Sequence, residues 1–484
     1  MKNRIILLTF LLGFIPMLNA QWTSPGNGST FDLDALVENS DGCVVRIGKL
    51  PYSMDRPVYR FVSDVIIAPT DRLVFPTNNF IEFDDVTLTI QGALTIEGTF
   101  SGYSSFVDKS HENPDAQPCI RFEDATDANI IKACVFLAFS GIKIINSEVT
   151  FDDCVISYFD TELQSSAVNY MNCDPVFTAC HFYNNEGPAI GSAVNVFGSP
   201  QILNCYFDHN VTNNANQPQI NLGPGSNDTI RIVGCTIQGG GNNMVGGIAI
   251  ADLMGTGATK ILLKDNIVKN NRYGYNQQGY NLSSVIIGNQ FTDNNLETNP
   301  MNGGSGISIY GVDENNKAVI HDNVISGNLW GITVINKADI NLGTEDDWGH
   351  NQIHDNGNGG VVYDLYNNST SDIMAVGNYW GTTNEQEIED HIFHQLDDPN
   401  LGLVNYIPFS TDDAIEEAED TAFDVWPNPA QGRFTVNGQG TMTITNTLGQ
   451  TILTMEIDGK ESIALPQGLY VVRLGDATRK VIVE

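Results

Sequence analysis

Positive charge is the scarcest thing in this sequence. Lysine and arginine number 23 against 58 aspartates and glutamates, a net charge of 23 − 58 = −35, while charged residues are only 17% of the chain. The acid is therefore spread over a polar, Asn- and Gly-rich surface rather than held in one tail. Such a field disfavours nucleic acid and anionic membranes as partners. It suits Ca²⁺, which takes carboxylate and carbonyl oxygens. Long apolar runs are also missing: nothing after residue 20 is long enough to cross a membrane as a helix. There is no heptad, no Gly-x-Ser-x-Gly elbow, no Walker loop and no Cys-x-x-Cys pair. Nucleophilic and phosphoryl-transfer chemistry therefore have no foothold.

What is present is a repeat. From Cys134 to Asn378 a Cys or Asn is followed two positions later by an apolar residue, and often three further on by Asn. The pairs are Cys180/Asn185, Cys205/Asn210, Asn266/Asn271, Asn289/Asn294, Asn323/Asn328 and Asn351/Asn356, with Phe182, Phe207, Val268, Phe291, Ile325 and Ile353 between them. Cys134, Cys154, Cys235 and Asn378 open the same phrase without the second Asn. A period of roughly 20–35 residues marks an architecture in which each unit buries its apolar face against its neighbours. The local period is two, so the units are strands. Stacking places Cys on Cys and Asn on Asn. Asn suits a corner because it tolerates left-handed backbone and its amide bonds to the next rung. Neighbouring rungs lie about 4.8 Å apart, so stacked cysteines are close without being bonded. Free buried thiols are favoured over bridges; Cys43, Cys119 and Cys173 lie off the ladder, and the sequence suggests no pairing for them.

These phrases resemble the right-handed parallel β-helix repeat of the pectate-lyase-like superfamily. The resemblance covers about 61–409 and implies an all-β solenoid. It does not by itself imply an activity, because the fold hosts enzymes and pure binders alike.

In chain order, Lys2 and Arg4 precede an apolar stretch ending at Ala20, the pattern of a secretory signal peptide over 1–20. Residues 21–60 are expected to cap the first rung, with Asp32 capping a helix over 33–39. Phe100 to Pro118 lacks a clean period and reads as a loop carrying His111 and Glu112. After Trp380–Gly381, Asn384 starts a capping-box pattern, and Ile388, Ile392 and Leu396 share one helical face. A helix near 384–396 is therefore expected over the last rung. Residues 410–422 read as an acidic linker.

Residues 423–484 form a separate unit of five or six short strands, expected to be a small immunoglobulin-like β-sandwich. The phrases Pro427–Asn428–Pro429–Ala430 with Gly432, Leu448–Gly449–Gln450 and Gly468–Leu469–Tyr470–Val471 resemble the type A C-terminal sorting domain of the type IX secretion system. Trp426 stands where Tyr is commoner. The resemblance implies recognition by that machinery, export through the periplasm of a Bacteroidota bacterium, and a secreted or cell-surface product.

Candidate chemistry is thin. Lys260, Lys264, Lys269 and Arg272 cluster in a cation-poor chain, followed by Tyr273, Tyr275 and Tyr280. A basic patch beside aromatic rings suits an acidic glycan; the plain alternative is a solvated coil edge. Asp346 and Asp347, near His350 and His354, offer acid–base or Ca²⁺ chemistry, although Asn351 and Asn356 set that stretch on the repeat template. Glu387, His391 and His394 on the expected helix lack the spacing of a zinc protease. The sequence favours a non-catalytic binder of glycan or extracellular matrix. The alternative is a β-helix polysaccharide lyase or glycoside hydrolase acting on an acidic polysaccharide, which needs a base with charge neutralisation, or paired carboxylates.

Overall fold

The computed structural model describes residues 21–49, 56–76, 78–97, 104–108, 119–161, 166–255, 257–299, 302–358, 361–411, 424–426, 430, 432–446, 451–466, 468–474 and 477–483. The expected signal peptide, most of the linker, Pro427–Pro429 and Gly449 lie outside the described residues, as do His111 and Glu112. Two compact units are present, 1–411 and 412–484.

The first unit is a parallel β-helix. Its coils run through three sheets in turn, with 14, 14 and 13 strands among the described residues. One coil shows the order: Gly246–Asp252 in the first sheet, Thr259–Lys264 in the second, Ile267–Lys269 in the third, then Tyr275–Gly279 back in the first. Short strands with alternating burial send every second side chain inward, as a period of two demands. Inside, like residues stack: Phe61 on Phe83 with centroids 4.7 Å apart, Phe151 on Phe177 at 5.2 Å and Phe182 on Phe207 at 4.8 Å. The region read as a loop contributes a strand, Ser104–Asp108, which pairs in register with its neighbours on both sides. Its composition hid a period that the flanking rungs impose.

The polar ladders occupy two corners. Cys134 to Asn378 lie between the second and third sheets; Asn185, Asn210, Asn271, Asn294, Asn328 and Asn356 lie between the third and the first. The left-handed conformation does not fall on the ladder residue, as the sequence suggested, but on the residue before it. Asp265, Asp322 and His350 have φ of 54°, 57° and 48°, and Asn270, Asp293 and Asp355 have 55°, 55° and 57°. That turn aims the ladder side chain inward, where each amide is fully used. Asn328 Oδ1 accepts from the backbone N–H and Nδ2 of Asn294 (3.0 and 3.1 Å), and its own Nδ2 donates to Asn356 Oδ1 (2.9 Å) and Phe291 O (3.0 Å). Buried amides are tolerated because every donor finds an acceptor. In the earlier rungs sulfur replaces the amide: Cys235 Sγ accepts the Cys205 N–H at 3.3 Å. The five ladder cysteines carry free thiols. Burial pushes the Cys134, Cys180 and Cys235 thiols well up, so they are protonated.

Both ends are covered. At the start, Asp32 caps helix α1 (Leu33–Asn39), which buries Leu33 and Leu36. The buried Asp71 carboxylate accepts the backbone N–H groups of Gly26, Asn27, Gly28 and Ser29. At the far end Asn384 caps helix α2, which is shorter than expected: it spans Glu385–Asp390. Ile392–Phe393 leaves the helix to pair with Leu365–Tyr366, and Leu396 is 70% exposed. The outermost strand captures the chain before a helical face can continue.

The second unit is a five-stranded antiparallel sheet. Its longest hairpin pairs Arg433–Asn446 with Thr451–Ala464. Phe434, Val436, Met442 and Ile444 share one face and form a separate core with Ile457, Tyr470, Val472 and Val481. Gly440 and Gly459, near the middle of the hairpin, have φ of 127° and 104°. Ala430 is fully buried and bridges to Val483, so the start of the sorting phrase is tied to the chain's last strand. Tyr470 is buried too, and its hydroxyl donates to Pro466 O at 3.0 Å. Gly468 opens the strand that carries it and Gly432 precedes the long hairpin, with φ of 70°.

Candidate functional site

The outer face of the first sheet carries a column of side chains set by strand register. It reads Gly191, Asn221, Ala249, Asn276, Ser308, Thr333, Tyr366, Phe393. The first six are small or short. The last two are rings, stacked at 4.6 Å with an interplanar angle of 8°. Trp330 stacks on Tyr366 at 4.7 Å and 17°, and Tyr363 meets both edge-on. The column is therefore a shallow trough that ends against an aromatic wall.

A concavity of about 450 Å³ lies at that end, with Asn276, Ser308 and Thr333 in its lining beside Arg272, Tyr273, Trp330 and Tyr366. It exists because one rung is thin. Tyr273 and Trp330 stand on either side of the rung that carries Gly303, Gly304 and Ser305, and Ser305 is the register partner of Trp330. Two rung spacings, about 9.5 Å, separate the strands that follow these two residues. Glycine keeps the slot open: a side chain at Gly303, whose φ is 149°, would meet Arg272 Nε at 2.8 Å. On the other side the Tyr273 ring lies over Gly246, where any side chain would collide with it.

Electrostatically the slot differs from its surroundings. Among the described residues no carboxylate lines it. Arg46, Arg60, Arg72 and Arg121 each pair with an acidic side chain. Arg272 instead donates to Asn216 Oδ1 and Asn302 O. Its Nε is buried and lacks a hydrogen-bond partner, as do Trp330 Nε1 and Asn276 Oδ1. Three residues that carry a buried unpartnered polar atom, two donors and one acceptor, thus line one concavity. Such an atom costs on the order of 1–3 kcal/mol while it stays unpaired. Burial pushes the Tyr273 hydroxyl up to about 12.

The other expected site residues separate. Tyr275 points into the core and is fully buried, with its hydroxyl donating to Gln277 Oε1 at 3.0 Å; it cannot meet a ligand. Lys260 and Lys264 lie on the exposed face of the second sheet, and Lys264 reaches Asp265 at 3.9 Å. Lys269 ends a strand of the third sheet. Only Arg272 and Tyr273 of that cluster reach the trough. Tyr280 packs near Gly255, at the far end of its strand. Asp346 and Asp347 sit in an exposed turn in which Thr344 accepts the Asp347 N–H. His350 is the left-handed corner residue before Asn351, stacked beside Trp348. Among the described residues no group of three or more His, Cys, Asp and Glu is arranged to hold a metal. Glu387, His391 and His394 turn to three different partners, Thr382, Asp364 and Glu389. Sequence reasoning did not single out Trp330 and Tyr366, which also line the trough. Tyr366 carried a signal, since it alternates outward between the buried Leu365 and Asn367, whereas Trp330 precedes Gly331 in a strand whose burial does not alternate.

Comparison with known proteins fits this division. Residues 424–484 match the family described as a secretion system C-terminal sorting domain, and 226–386 match a family described as a protein of unknown function, DUF1565. The chain is a parallel β-helix with a type IX sorting tail. It is exported to the cell surface or beyond. Among solved structures it is similar to a point mutant of the periplasmic alginate epimerase AlgG, at 12% identity over 80% of this chain and 81% of that one, with a TM-score of 0.40. A Geobacillus virus E2 protein, ORF18, has 12% identity over 93% and 78%, with a TM-score of 0.29. The tailspike gp49 of the Acinetobacter baumannii bacteriophage Fri1, a capsular polysaccharide depolymerase, has 8% identity over 91% and 72%, with a TM-score of 0.22. No curated protein matches.

Proposed function

We propose that this exported β-helix binds an acidic glycan in the trough without cleaving it. The carrying observation is that Arg272, Trp330 and Asn276, each with an unpartnered polar atom, line one concavity beside aromatic rings. A sugar offers the matching pieces: an apolar ring face for aromatic contact, hydroxyls that both donate and accept, and a carboxylate or sulfate for the guanidinium. The absence of a carboxylate among the described lining residues favours an anionic ligand, because a chain of this charge repels anions elsewhere. Binding without turnover is favoured because those lining residues include no carboxylate, histidine or lysine to share acid–base work.

The test is a binding screen of the full chain against polygalacturonate, alginate, hyaluronan and chondroitin sulfate, with neutral xylan and laminarin beside them. Reducing ends and unsaturated products are followed in parallel. The expected result is binding to at least one acidic polymer, weakened tenfold or more by Trp330→Ala and by Arg272→Gln, with no new chain ends. Turnover would establish the lyase or hydrolase instead. Failure of all six polymers to bind would remove the reading.

A further inference from the structure

The trough is not symmetric along the helix axis, and the asymmetry says how a chain lies in it. Towards the N-terminus the Tyr273 ring flanks the column over Gly246, but the column itself continues through Ala249, Asn221 and Gly191, none of which carries a ring. Towards the C-terminus Tyr366 and Phe393 stand in the same column as Asn276, Ser308 and Thr333. Trp330 stacks face to face on Tyr366. A linear polymer laid on the short side chains therefore meets a ring wall and cannot pass through it along the column.

The wall is stiff. Tyr366 is held between Trp330 on one face and Phe393 on the other, at 4.7 and 4.6 Å. Phe393 belongs to the strand that pairs with Leu365–Tyr366 and closes the helix. The residues with an unpartnered polar atom, Trp330, Arg272 and Asn276, all line the last three rungs before this wall, Trp330 against it and Asn276 three rungs from Tyr366. Along the rest of the column Gly191 and Ala249 offer no polar side-chain atom, and among the described residues Asn221 carries no buried unpartnered one.

We infer that the trough recognises the end of a linear glycan, with the terminal sugar seated against Trp330 where Tyr366 backs it and the next one or two sugars reaching Arg272 and Asn276. The chain then leaves along the open column past Ala249 and Asn221. The inference rests on the glycan-binding reading above and adds which part of the polymer is read. An internal-binding groove would be open at both ends and would accept the middle of a chain equally well.

The experiment uses the full chain and whichever member of the six-polymer panel binds, split into length fractions of increasing size. End recognition predicts a bound ratio of one protein per glycan chain, independent of chain length. It also predicts that modifying one of the two ends, by reductive amination at the reducing end or by the 4,5-unsaturated terminal uronate that lyase-cut fragments of the acidic polymers carry at the other, lowers affinity tenfold or more. Modifying the opposite end leaves affinity unchanged. Tyr366→Ala, checked for an unchanged melting temperature, should allow more than one protein per long chain. Binding that scales with chain length and ignores both end modifications would overturn end recognition while leaving glycan binding intact. Failure of every polymer and fraction to bind would overturn both.

Discussion

Replacing Asn328 with alanine removes one link from the amide ladder between the third and first sheets. Two donors on Asn294 lose their acceptor: the backbone N–H, at 3.0 Å, and one proton of Nδ2, at 3.1 Å. The other Nδ2 proton keeps its bond to Val268 O. Each orphaned buried donor costs about 1–3 kcal/mol. The carbonyls of Phe291 and Ser326 and the Asn356 Oδ1 lose a donor as well, at lower cost, because carbonyl oxygens tolerate partial satisfaction better than N–H groups do. The site is 1% exposed, so bulk water cannot repair it. The expected loss is about 3–4 kcal/mol, towards the lower end of that sum if a single water enters the space the amide leaves.

Because a solenoid's coils contact only their neighbours, the damage should be local, and a global melt alone would blur it. Native-state hydrogen exchange is the better assay. The Asn294 amide should lose protection by that amount, the Asn328-to-Asn356 segment should follow, and rungs before Asn210 should be unmoved. Urea unfolding followed by circular dichroism gives the overall cost. A loss under about 0.5 kcal/mol, with Asn294 protection unchanged, would refute the view that the ladder amides are consumed rung by rung. Asn328→Asp sharpens the test. It keeps the acceptor for Asn294 but turns a carboxylate towards Phe291 O and Asn356 Oδ1, so it should be no better than alanine.

Three further outcomes follow from the same geometry. Burial alone would raise the Asp71 pKa, but hydrogen bonds from Ser24 and the backbone of Gly26, Ser29 and Gly28 outweigh it and hold the carboxyl low. Its contribution is therefore present above the unfolded value of about 3.9 and lost as pH falls through the lower folded value; Asp71→Ala should flatten that acid limb and cost about 2–4 kcal/mol, read by melting at several pH values. The hydrogen bond to Asp364 raises His391, and burial raises Asp364 itself. Both shifts act with the same sign: stability is full at low pH and falls as pH climbs, for His391 above the unfolded value of about 6.5. His391→Gln should abolish the fall above neutrality, and a slope left unchanged would rule out the pair as its source. Finally, Cys134, Cys154, Cys180, Cys205 and Cys235 are buried and unbridged, so iodoacetamide should label none of them in the folded chain and all of them in urea, and reduction beforehand should not change the mass.

How much of this was legible in the sequence differs between ladder and trough for a geometric reason. The ladder repeats one residue type at one position of each coil, so counting finds it. The helix caps were partly legible: Asp32 and Asn384 announce helix starts, and both cap helices here. The trough is assembled from residues one coil apart, Tyr273, Ser305, Trp330 and Tyr366, and no local pattern joins them. The converse error has the same origin. Lys260, Lys264, Lys269 and Arg272 are neighbours in sequence, but the chain between them turns through two sheets and a corner, so their charges part. Tyr275 was misread because a single ring beside a basic run carries no sign of which way its strand faces. Its partners in register, Ile248 and Ile307, supply that sign, since both are buried.

The two ladders also explain why the trough closes where it does. Nearly every ladder side chain donates onward, towards the C-terminal end, from Asn271 to Asn294, Asn328 and Asn356. A run of donors pointing one way needs a last acceptor that asks for nothing further. At one corner this is the buried Asp364, which accepts from Asn356 at 2.9 Å and pairs with His391 at 3.1 Å. At the other it is Asn378, whose amide turns back to Leu342 O and Ala375 O. Asp364 directly precedes the strand carrying Tyr366, and His391 directly precedes the one carrying Phe393. Closing the core and ending the amide run therefore fix the same two strands whose outward rings make the wall. A terminal coil has to be bulky and rigid to shield what lies beneath it. Under the proposed binding mode, the ligand's end would lie against rings already held by stacking, Trp330, Tyr366 and Phe393, so little ordering of those side chains would be left to offset.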